Sequence, residues 1–181
     1  MNEVLGSGRF LRLVREGGWE WAERTNASGV VGVAALTPDR CVLFVEQHRP
    51  PIGGRVLEMP AGLAGDLADA GDEALEQAAA RELEEETGYR AGRLVWLCAG
   101  PVSAGMTSEV LTFYAAYDLV RIGPGGGDDS EDIVVHEVPL DSAREWLAER
   151  HRQGVMADPK VYAGLYFLEG DVRSAAALDR S

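Results

Sequence analysis

The sequence predicts an α/β protein with a mixed β-sheet, because strand-like runs lie on both sides of one strongly helical segment and further helices follow. The strand-like runs are rich in β-branched and apolar residues and are bounded by Gly, Pro and Asp. The helical segment, residues 73–87, is instead rich in Ala, Leu and Glu. With 181 residues, of which 46% are hydrophobic and 26% charged, the chain has the length and composition of one globular domain.

The elements follow in order along the chain. Residues 9–25 alternate apolar and polar side chains around Gly17 and Gly18, which is typical of a hairpin. The helix at residues 73–87 is expected to end at Gly88, because glycine readily takes the left-handed conformation that follows a last helical turn. The other expected features are strands at 29–36, 41–49, 94–99, 110–119 and 133–138, a Pro- and Gly-rich segment at 50–65, a flexible acidic loop at 121–132, a helix at 141–152 capped by Asp141 and Ser142, a helix at 159–168, and a polar end from 170 that frays.

The charge and composition exclude several classes of protein. The formal net charge of −13 argues against a nucleic-acid binder, since phosphate backbones demand clustered Lys and Arg. No apolar run reaches the roughly 18 residues that a membrane span needs, and residues 1–18 lack the uninterrupted apolar stretch of a signal peptide, so we expect neither. The two cysteines, Cys41 and Cys98, stand in apolar contexts and are expected to be reduced thiols, so we expect a cytoplasmic protein.

Three glutamates are expected to share one face of the first helix. Glu82, Glu85 and Glu86 stand at positions i, i+3 and i+4, and no compensating Lys lies within a turn. A divalent cation held by carboxylate oxygens would relieve their repulsion, and Mg²⁺ is the usual ion beside phosphate. From this helix alone, a solvated acidic face is the alternative.

The spacing around these glutamates resembles the signature of the Nudix hydrolases, G-x5-E-x7-R-E-U-x-E-E-x-G-U, in which U is a bulky apolar residue. Only the glycine departs from the pattern, because Leu67 stands at its position. The nearest suitable glycine is Gly62, which leaves a five-residue insertion within residues 63–72, where a loop tolerates it. The matching residues are Glu73, Arg81, Glu82, Leu83, Glu85, Glu86, Gly88 and Tyr89.

Four further segments are similar to the ADP-ribose pyrophosphatase group of this family. They are residues 45–51, 57–62, 103–109 and 130–133, although Ala104 replaces the proline usual in the third segment. The resemblance implies a mixed β-sheet sandwiched between helices, preceded by an N-terminal antiparallel hairpin. It also implies three parts: a hairpin region at 1–28 that exchanges with a second subunit, a hydrolase domain at 29–170, and a polar tail at 171–181.

The resemblance also implies a metal site. By their match to the group, the ligands are the backbone carbonyl of Ala61 and the carboxylates of Glu82, Glu86 and Glu131, with Glu85 available to bridge ions. Two or three Mg²⁺ ions are expected, and Mn²⁺ and Zn²⁺ remain alternatives.

Substrate contacts follow from the same match. Arg49 is expected to meet a phosphate, and Ser103 and Glu109 the terminal ribose. Leu63 is a further substrate-binding candidate. Trp19 or Trp21 would stack on adenine, or would instead stabilise the hairpin or a dimer seam. The supporting residues of the motif are Glu58 and Arg81, expected to form an ion pair, together with Glu73 and Gly88.

The general base is expected among the acidic side chains near the metals. Asp129 and Glu131 are the first candidates, and Glu85 is a third. The glycines at 123 and 125–127 would let this loop close over bound substrate, although a disordered acidic surface loop is the alternative.

The expected function is metal-dependent hydrolysis of ADP-ribose to AMP and ribose 5-phosphate by a homodimer. A pyrophosphatase acting on GDP-mannose or another nucleotide sugar is the first alternative, because the fold and metal cluster would be shared. A Nudix domain that senses a nucleotide without turnover is the second. The expected partner is a small nucleotide, with neither nucleic acid nor membrane involved.

Overall fold

The computed structural model describes residues 2–65, 73–127 and 132–178, with side chains as far as residue 170. A short 3₁₀ helix, Leu140–Ser142, precedes the second of the three α-helices. The helices are α1 Leu75–Thr87, α2 Ala143–Arg152 and α3 Pro159–Leu178. The strands are β1 Glu3–Ser7, β2 Leu11–Glu16, β3 Trp19–Arg24, β4 Gly29–Ala35, β5 Cys41–Arg49, β6 Gly54–Glu58, β7 Ala61–Ala64, β8 Tyr89–Arg90, β9 Arg93–Pro101, β10 Val110–Tyr117, β11 Val120–Arg121, β12 Val134–Pro139 and β13 Met156–Ala157.

The α/β class is confirmed, but the described strands form two mixed sheets where the sequence predicted one. One sheet has the order β7-β4-β10-β9, with β10 parallel to β4, and the other has the order β12-β5-β6-β13, with β13 parallel to β6. The predicted hairpin is confirmed as β2–β3, and β1 adds a third antiparallel strand. The short strands β8 and β11 pair with each other.

Helices cover the central strands on both sides, as the resemblance implied. Val31 and Val33 of β4 pack with Leu83 of α1, whereas Ala34 of the same strand packs with Leu165 of α3. Strand β4 is therefore buried on both faces, which explains its nearly continuous apolar sequence. This packing holds α1 against the edge of the sheet where β4 pairs with β7.

Helix α1 ends as predicted. Gly88 has φ 73°, and its N–H donates to the carbonyl oxygen of Glu84 at 2.9 Å. A Cβ atom at this position would lie 2.3 Å from the carbonyl oxygen of Gly123. The signature glycine therefore serves both the left-handed turn and the close approach of a second segment.

Three local predictions were wrong or incomplete. The Pro- and Gly-rich segment contains strands β6 and β7, because its short apolar runs pair with β5 and β4. Ser142 makes no side-chain cap on α2, since its hydroxyl donates to the carbonyl of Pro139 at 3.2 Å within the 3₁₀ turn. Helix α3 continues past the expected fraying point to Leu178, where Ala175, Ala176 and Ala177 have high helix propensity.

Candidate active site

A pocket of about 470 Å³ opens where α1 meets β7, β5 and β6. Five glutamates and four basic side chains line it, so that the site is densely charged with both signs. Residues from positions 24 to 160 contribute to its wall. The residues expected from the sequence that line it are Arg49, Glu58, Ala61, Leu63, Arg81, Glu82, Glu85, Glu86 and Glu109.

Two glutamates of α1 reach the start of β7. The backbone N–H of Ala61 donates to Glu86 Oε2 at 3.0 Å, and that of Leu63 donates to Glu82 Oε1 at 3.2 Å. Between them, a Cβ atom at position 62 would lie 1.9 Å from the Cδ atom of Glu82. A glycine is therefore needed here so that the carboxylate of Glu82 can lie against the strand.

Arg81 compensates part of the acidic face. Its Nη1 donates to Glu82 Oε1 and to Glu85 Oε2, each at 3.0 Å, and its Nε donates to Glu73 Oε1 at 3.1 Å. The prediction that no positive charge compensates the three glutamates was wrong, because it considered lysines and not arginines. The long arginine side chain instead binds both neighbouring carboxylates with one planar group. The repulsion that suggested a metal is therefore smaller than expected.

The same arginine accounts for the position of Glu73. Glu73 Oε2 also accepts a hydrogen bond from the N–H of Gly65, at 3.3 Å. The hydrogen bond from Arg81 lowers the pKa of Glu73 below its ordinary value, although burial opposes this effect. Glu73 and Arg81 thus connect the start of α1 to the end of β7 and to the pocket.

The environment of Glu82 distinguishes this carboxyl from the others. Burial raises its pKa to about 6, against the opposing charge of Arg81 and with a further increase from Glu85. In the described part of the chain, no three His, Cys, Asp or Glu side chains are arranged to hold a metal ion as they stand. The donor set nevertheless fits a hard divalent cation, because three carboxylates and the Ala61 backbone border the same pocket.

The carboxylate of Glu58 pairs with Arg49 and not, as expected, with Arg81. Arg49 Nε donates to Glu58 Oε2 at 2.7 Å, within one β-hairpin formed by β5 and β6. The antiparallel register brings these two side chains to the same wall. Arg81 is instead occupied by Glu73, just before α1, and by Glu82 and Glu85 of its own helix. The side chain of Arg49 is 40% exposed and lines the pocket, so it remains accessible to a ligand there.

The N-terminal sheet contributes a residue that the sequence analysis missed. Arg24 on β3 lines the pocket, and its Nε donates to Glu109 Oε2 at 2.6 Å. No local sequence signal marks this contact, because 85 residues separate the two side chains. Lys160 of α3 also lines the pocket and was also missed. It is the only lysine in the sequence, so a count of residue types would have singled it out.

The two tryptophans and Ser103 lie outside this pocket in the described structure of one chain. Trp19 and Trp21 border a separate depression of about 370 Å³ beside Ala104 and Thr107. Trp19 is 67% exposed. The carbonyl of Ser103 accepts hydrogen bonds from the next turn of the loop. Both the stacking role and the structural role of the tryptophans stay predictions.

The glycines after β11 hold the end of α1. The N–H of Gly126 donates to the carbonyl of Glu86 at 2.8 Å, and that of Gly127 donates to the carbonyl of Glu85 at 3.0 Å. A Cβ atom on Gly125 would lie 2.4 Å from the carbonyl carbon of Thr87. These glycines thus permit close packing on the helix terminus, and the closure of the acidic loop over bound substrate stays a prediction. The base candidates Asp129 and Glu131 lie outside the described residues.

Comparison with known proteins places this geometry in a family. The chain matches the family model described as NUDIX domain over residues 26–158. A methanol dehydrogenase activator from Bacillus methanolicus is 30% identical over 174 residues, which are 92% of this chain and 89% of that protein. An ADP-ribose pyrophosphatase from Bacillus subtilis is 34% identical over 123 residues, which are 67% of this chain and 64% of that protein.

A solved structure agrees with the fold. The crystal structure of an ADP compounds hydrolase superposes with a TM-score of 0.71 and covers 97% of this chain and 93% of its own. The sequence identity is 17%, so this likeness concerns the fold alone.

Proposed function

The chain belongs to the Nudix family, and from that membership we propose that it hydrolyses the pyrophosphate bond of ADP-ribose, giving AMP and ribose 5-phosphate. The observation that carries the proposal is the convergence of Glu82, Glu85, Glu86 and Arg49 on one pocket. The carboxylates can bind divalent metal ions, and the guanidinium of Arg49 can bind a phosphate group. A site that offers both suits a pyrophosphate substrate. The similarity to an ADP-ribose pyrophosphatase supports the choice of nucleotide.

The metal ligands of the proposal are Glu82, Glu86, Glu131 and the carbonyl of Ala61, with Glu85 available to bridge ions. Bound Mg²⁺ would neutralise the pyrophosphate and lower the pKa of a water molecule. Mn²⁺ and Zn²⁺ are the alternatives, and the proposed number of ions is two or three. Support for this assignment comes from the oxygen-only donor set around the pocket.

The remaining roles are assigned to the chain's own side chains. Arg49 binds a phosphate oxygen, and its hydrogen bond to Glu58 in the same pocket wall holds its guanidinium in place. Asp129, Glu131 or Glu85 takes the proton of the attacking water. Leu63 and Glu109 contact the rest of the substrate, and both border the pocket. Ser103 and one of the two N-terminal tryptophans remain substrate-binding candidates.

A homodimer in the cytoplasm completes the proposal. The three-stranded N-terminal sheet exposes Phe10, Leu11, Leu13 and Trp19, which would be covered by a second subunit. Cys41 and Cys98 are free thiols, as a reducing compartment requires. Within the described residues, the three helices include none with the length and apolarity of a membrane span. The division at residues 28 and 170 stays a prediction.

The test is incubation with ADP-ribose and Mg²⁺, with the products separated by chromatography and an EDTA control. We expect AMP only with metal, at a turnover above about 1 s⁻¹. Glu86→Gln should lower kcat by about 100-fold or more, since it removes one charge that the metal requires. Glu84→Gln is the matched control, because Glu84 lies on the same helix but pairs with Arg90 outside the pocket.

Each other outcome has a definite meaning. If no AMP appears, ADP-ribose is rejected, and GDP-mannose and other nucleotide sugars are assayed next. A tight complex with ADP-ribose that is never hydrolysed would indicate a sensor. An unchanged kcat in Glu86→Gln would remove this residue from the metal site.

A further inference from the structure

The chain's single lysine lies in the candidate active site. Lys and Arg together number 17, and all of them except Lys160 are arginines. The side chain of Lys160 lines the same pocket as Arg49, Glu58 and the glutamates of α1. It is 26% exposed, so it is neither buried in the core nor extended into solvent.

The fold fixes the position of Lys160 through Asp158. The N–H of Asp158 donates to the carbonyl of Leu57 at 2.8 Å, which continues the parallel pairing of β13 with β6. Asp158 Oδ1 accepts a hydrogen bond from the N–H of Lys160 at 2.7 Å, while Asp158 Oδ2 pairs with Lys160 Nζ. The start of α3 is thereby attached one residue from Glu58, the partner of Arg49.

The charge balance of the pocket distinguishes Lys160 from its other cations. Arg24 pairs with Glu109, Arg49 with Glu58, and Arg81 with glutamates of its own helix. Each of those acids lines the pocket as well, so each pair adds little net charge to the wall. Asp158 does not occur among the described residues that line the pocket. Lys160 therefore brings to the wall a positive charge whose counter-ion, Asp158, is not part of the described lining.

The ammonium group of Lys160 can bind two acceptors at the same time. It carries three donors on a compact charge, so it can keep Asp158 and still donate to a second acceptor. In a chain with a net charge of −13, an anionic ligand needs such local positive charge beside the glutamates. We propose that the ammonium group of Lys160 binds a non-bridging phosphate oxygen of the substrate's pyrophosphate, on the side of the pocket where Arg49 lies. This contact rests on the proposed function for the identity of the substrate.

The first test measures binding of inorganic pyrophosphate in Mg²⁺ to the full chain by calorimetry. Lys160→Gln should weaken binding about tenfold or more, as expected for a lost charged hydrogen bond, whereas Lys160→Arg should stay within about threefold of the wild type. Arg144→Gln is the control, because it removes one positive charge from a pair with Glu169, and neither residue is among those that line the pocket. It should leave pyrophosphate binding unchanged.

The second test uses the uniqueness of the residue. Reductive methylation modifies only Lys160 and the terminal amine, and mass spectrometry separates the two sites. Pyrophosphate with Mg²⁺ should slow methylation of Lys160 and leave the terminal amine unaffected. A rate at Lys160 that pyrophosphate does not change would overturn the proposal.

Other results are equally decisive. Wild-type affinity in Lys160→Gln would overturn the contact, and an equal loss in Lys160→Gln and Lys160→Arg would attribute the effect to packing instead of charge. Pyrophosphate protection together with no hydrolysis of ADP-ribose would reject the proposed substrate and leave the phosphate contact standing.

Discussion

At the scale of single residues, Gly62 shows how a missing side chain creates a functional position. The Cβ atom of any other residue would overlap the carboxylate of Glu82, the nearest atom being 1.9 Å away. That carboxylate is the end of a flexible side chain, so it could move aside at little cost to the fold. The carboxylate of Glu82, a proposed metal ligand, would then leave its observed position.

We therefore expect Gly62→Ala to separate stability from activity. The melting temperature should change little, while kcat/KM should fall about 10–100-fold, as for other changes that misplace a metal ligand. Gly100→Ala is the matched control, because it lies in a strand and has nothing within 4 Å of an added Cβ atom. Wild-type activity in Gly62→Ala would show that Glu82 does not need its observed position.

At the scale of elements, α1 is held at its C-terminal end by a segment distant in sequence and at its N-terminal end by an ion pair of its own side chains. The N–H groups of Gly126 and Gly127 donate to the carbonyls of Glu86 and Glu85 in the last turn, and the N–H of Gly88 donates to the carbonyl of Glu84. At the other end, the pair of Glu73 with Arg81 fixes the first turn to the pocket. The glutamates of the motif are thereby presented on a rigid helix, which favours precise coordination.

A second network joins elements away from the pocket. Glu46 of β5 accepts hydrogen bonds from Arg55 Nε at 3.0 Å and Arg150 Nη2 at 2.6 Å, and His136 Nε2 lies 2.9 Å away. Burial by itself would raise the pKa of Glu46, but the hydrogen bonds from His136, Arg150 and Arg55 outweigh it and lower the pKa below its ordinary value of 4.5. One carboxylate thus connects β5, β6, β12 and α2.

This network predicts a pH dependence of stability. Because the pKa of Glu46 is lower in the folded state, its contribution is complete above pH 4.5 and is lost as the pH falls through the folded-state value. We expect Glu46→Gln to lower the free energy of unfolding in urea by about 2 kcal/mol at pH 7, with a smaller difference from wild type at pH 4. Glu149→Gln, at an exposed pair with Arg152, should cost little at either pH. A cost for Glu46→Gln that is equal at both pH values would contradict this assignment.

At the scale of the whole molecule, the N-terminal sheet has little core of its own. In its three strands only Val14 is buried, whereas Leu13 is 43% and Trp19 is 67% exposed. The sheet is nevertheless connected to the loop between β9 and β10, since the N–H of Ala22 donates to the carbonyl of Met106 at 2.8 Å. An exposed apolar sheet beside the pocket is consistent with a subunit interface.

The dimer is checked by light scattering at micromolar protein. We expect twice the mass of one chain for the wild type, and a shift toward the monomer for Leu13→Asp, because a charge would be buried at the interface. Val120→Asp is the control, since Val120 is 61% exposed on a strand outside the N-terminal sheet. A monomeric wild type would refute the dimer, and the tryptophans would then have to act within their own chain.

Features that depend on local spacing could be predicted from the amino-acid sequence alone. The positions of Glu82, Glu85 and Glu86 on one helix follow from the helical period, and the end of that helix follows from Gly88. The strand patterns determined the α/β class for the same reason. The shared helix face, the helix end and the fold class depend on residues close together in sequence, so the sequence pattern is enough to predict them.

Contacts between residues that are far apart in sequence could be read only from the tertiary structure. The pairs Arg24–Glu109 and Arg49–Glu58, the contact of Gly62 with Glu82, and the place of Lys160 all depend on how strands and helices pack. The division into two sheets and the attachment of Gly126 and Gly127 to α1 depend on it too. The physical reason is that side-chain reach and packing select partners in three dimensions, and spacing along the chain does not encode those distances.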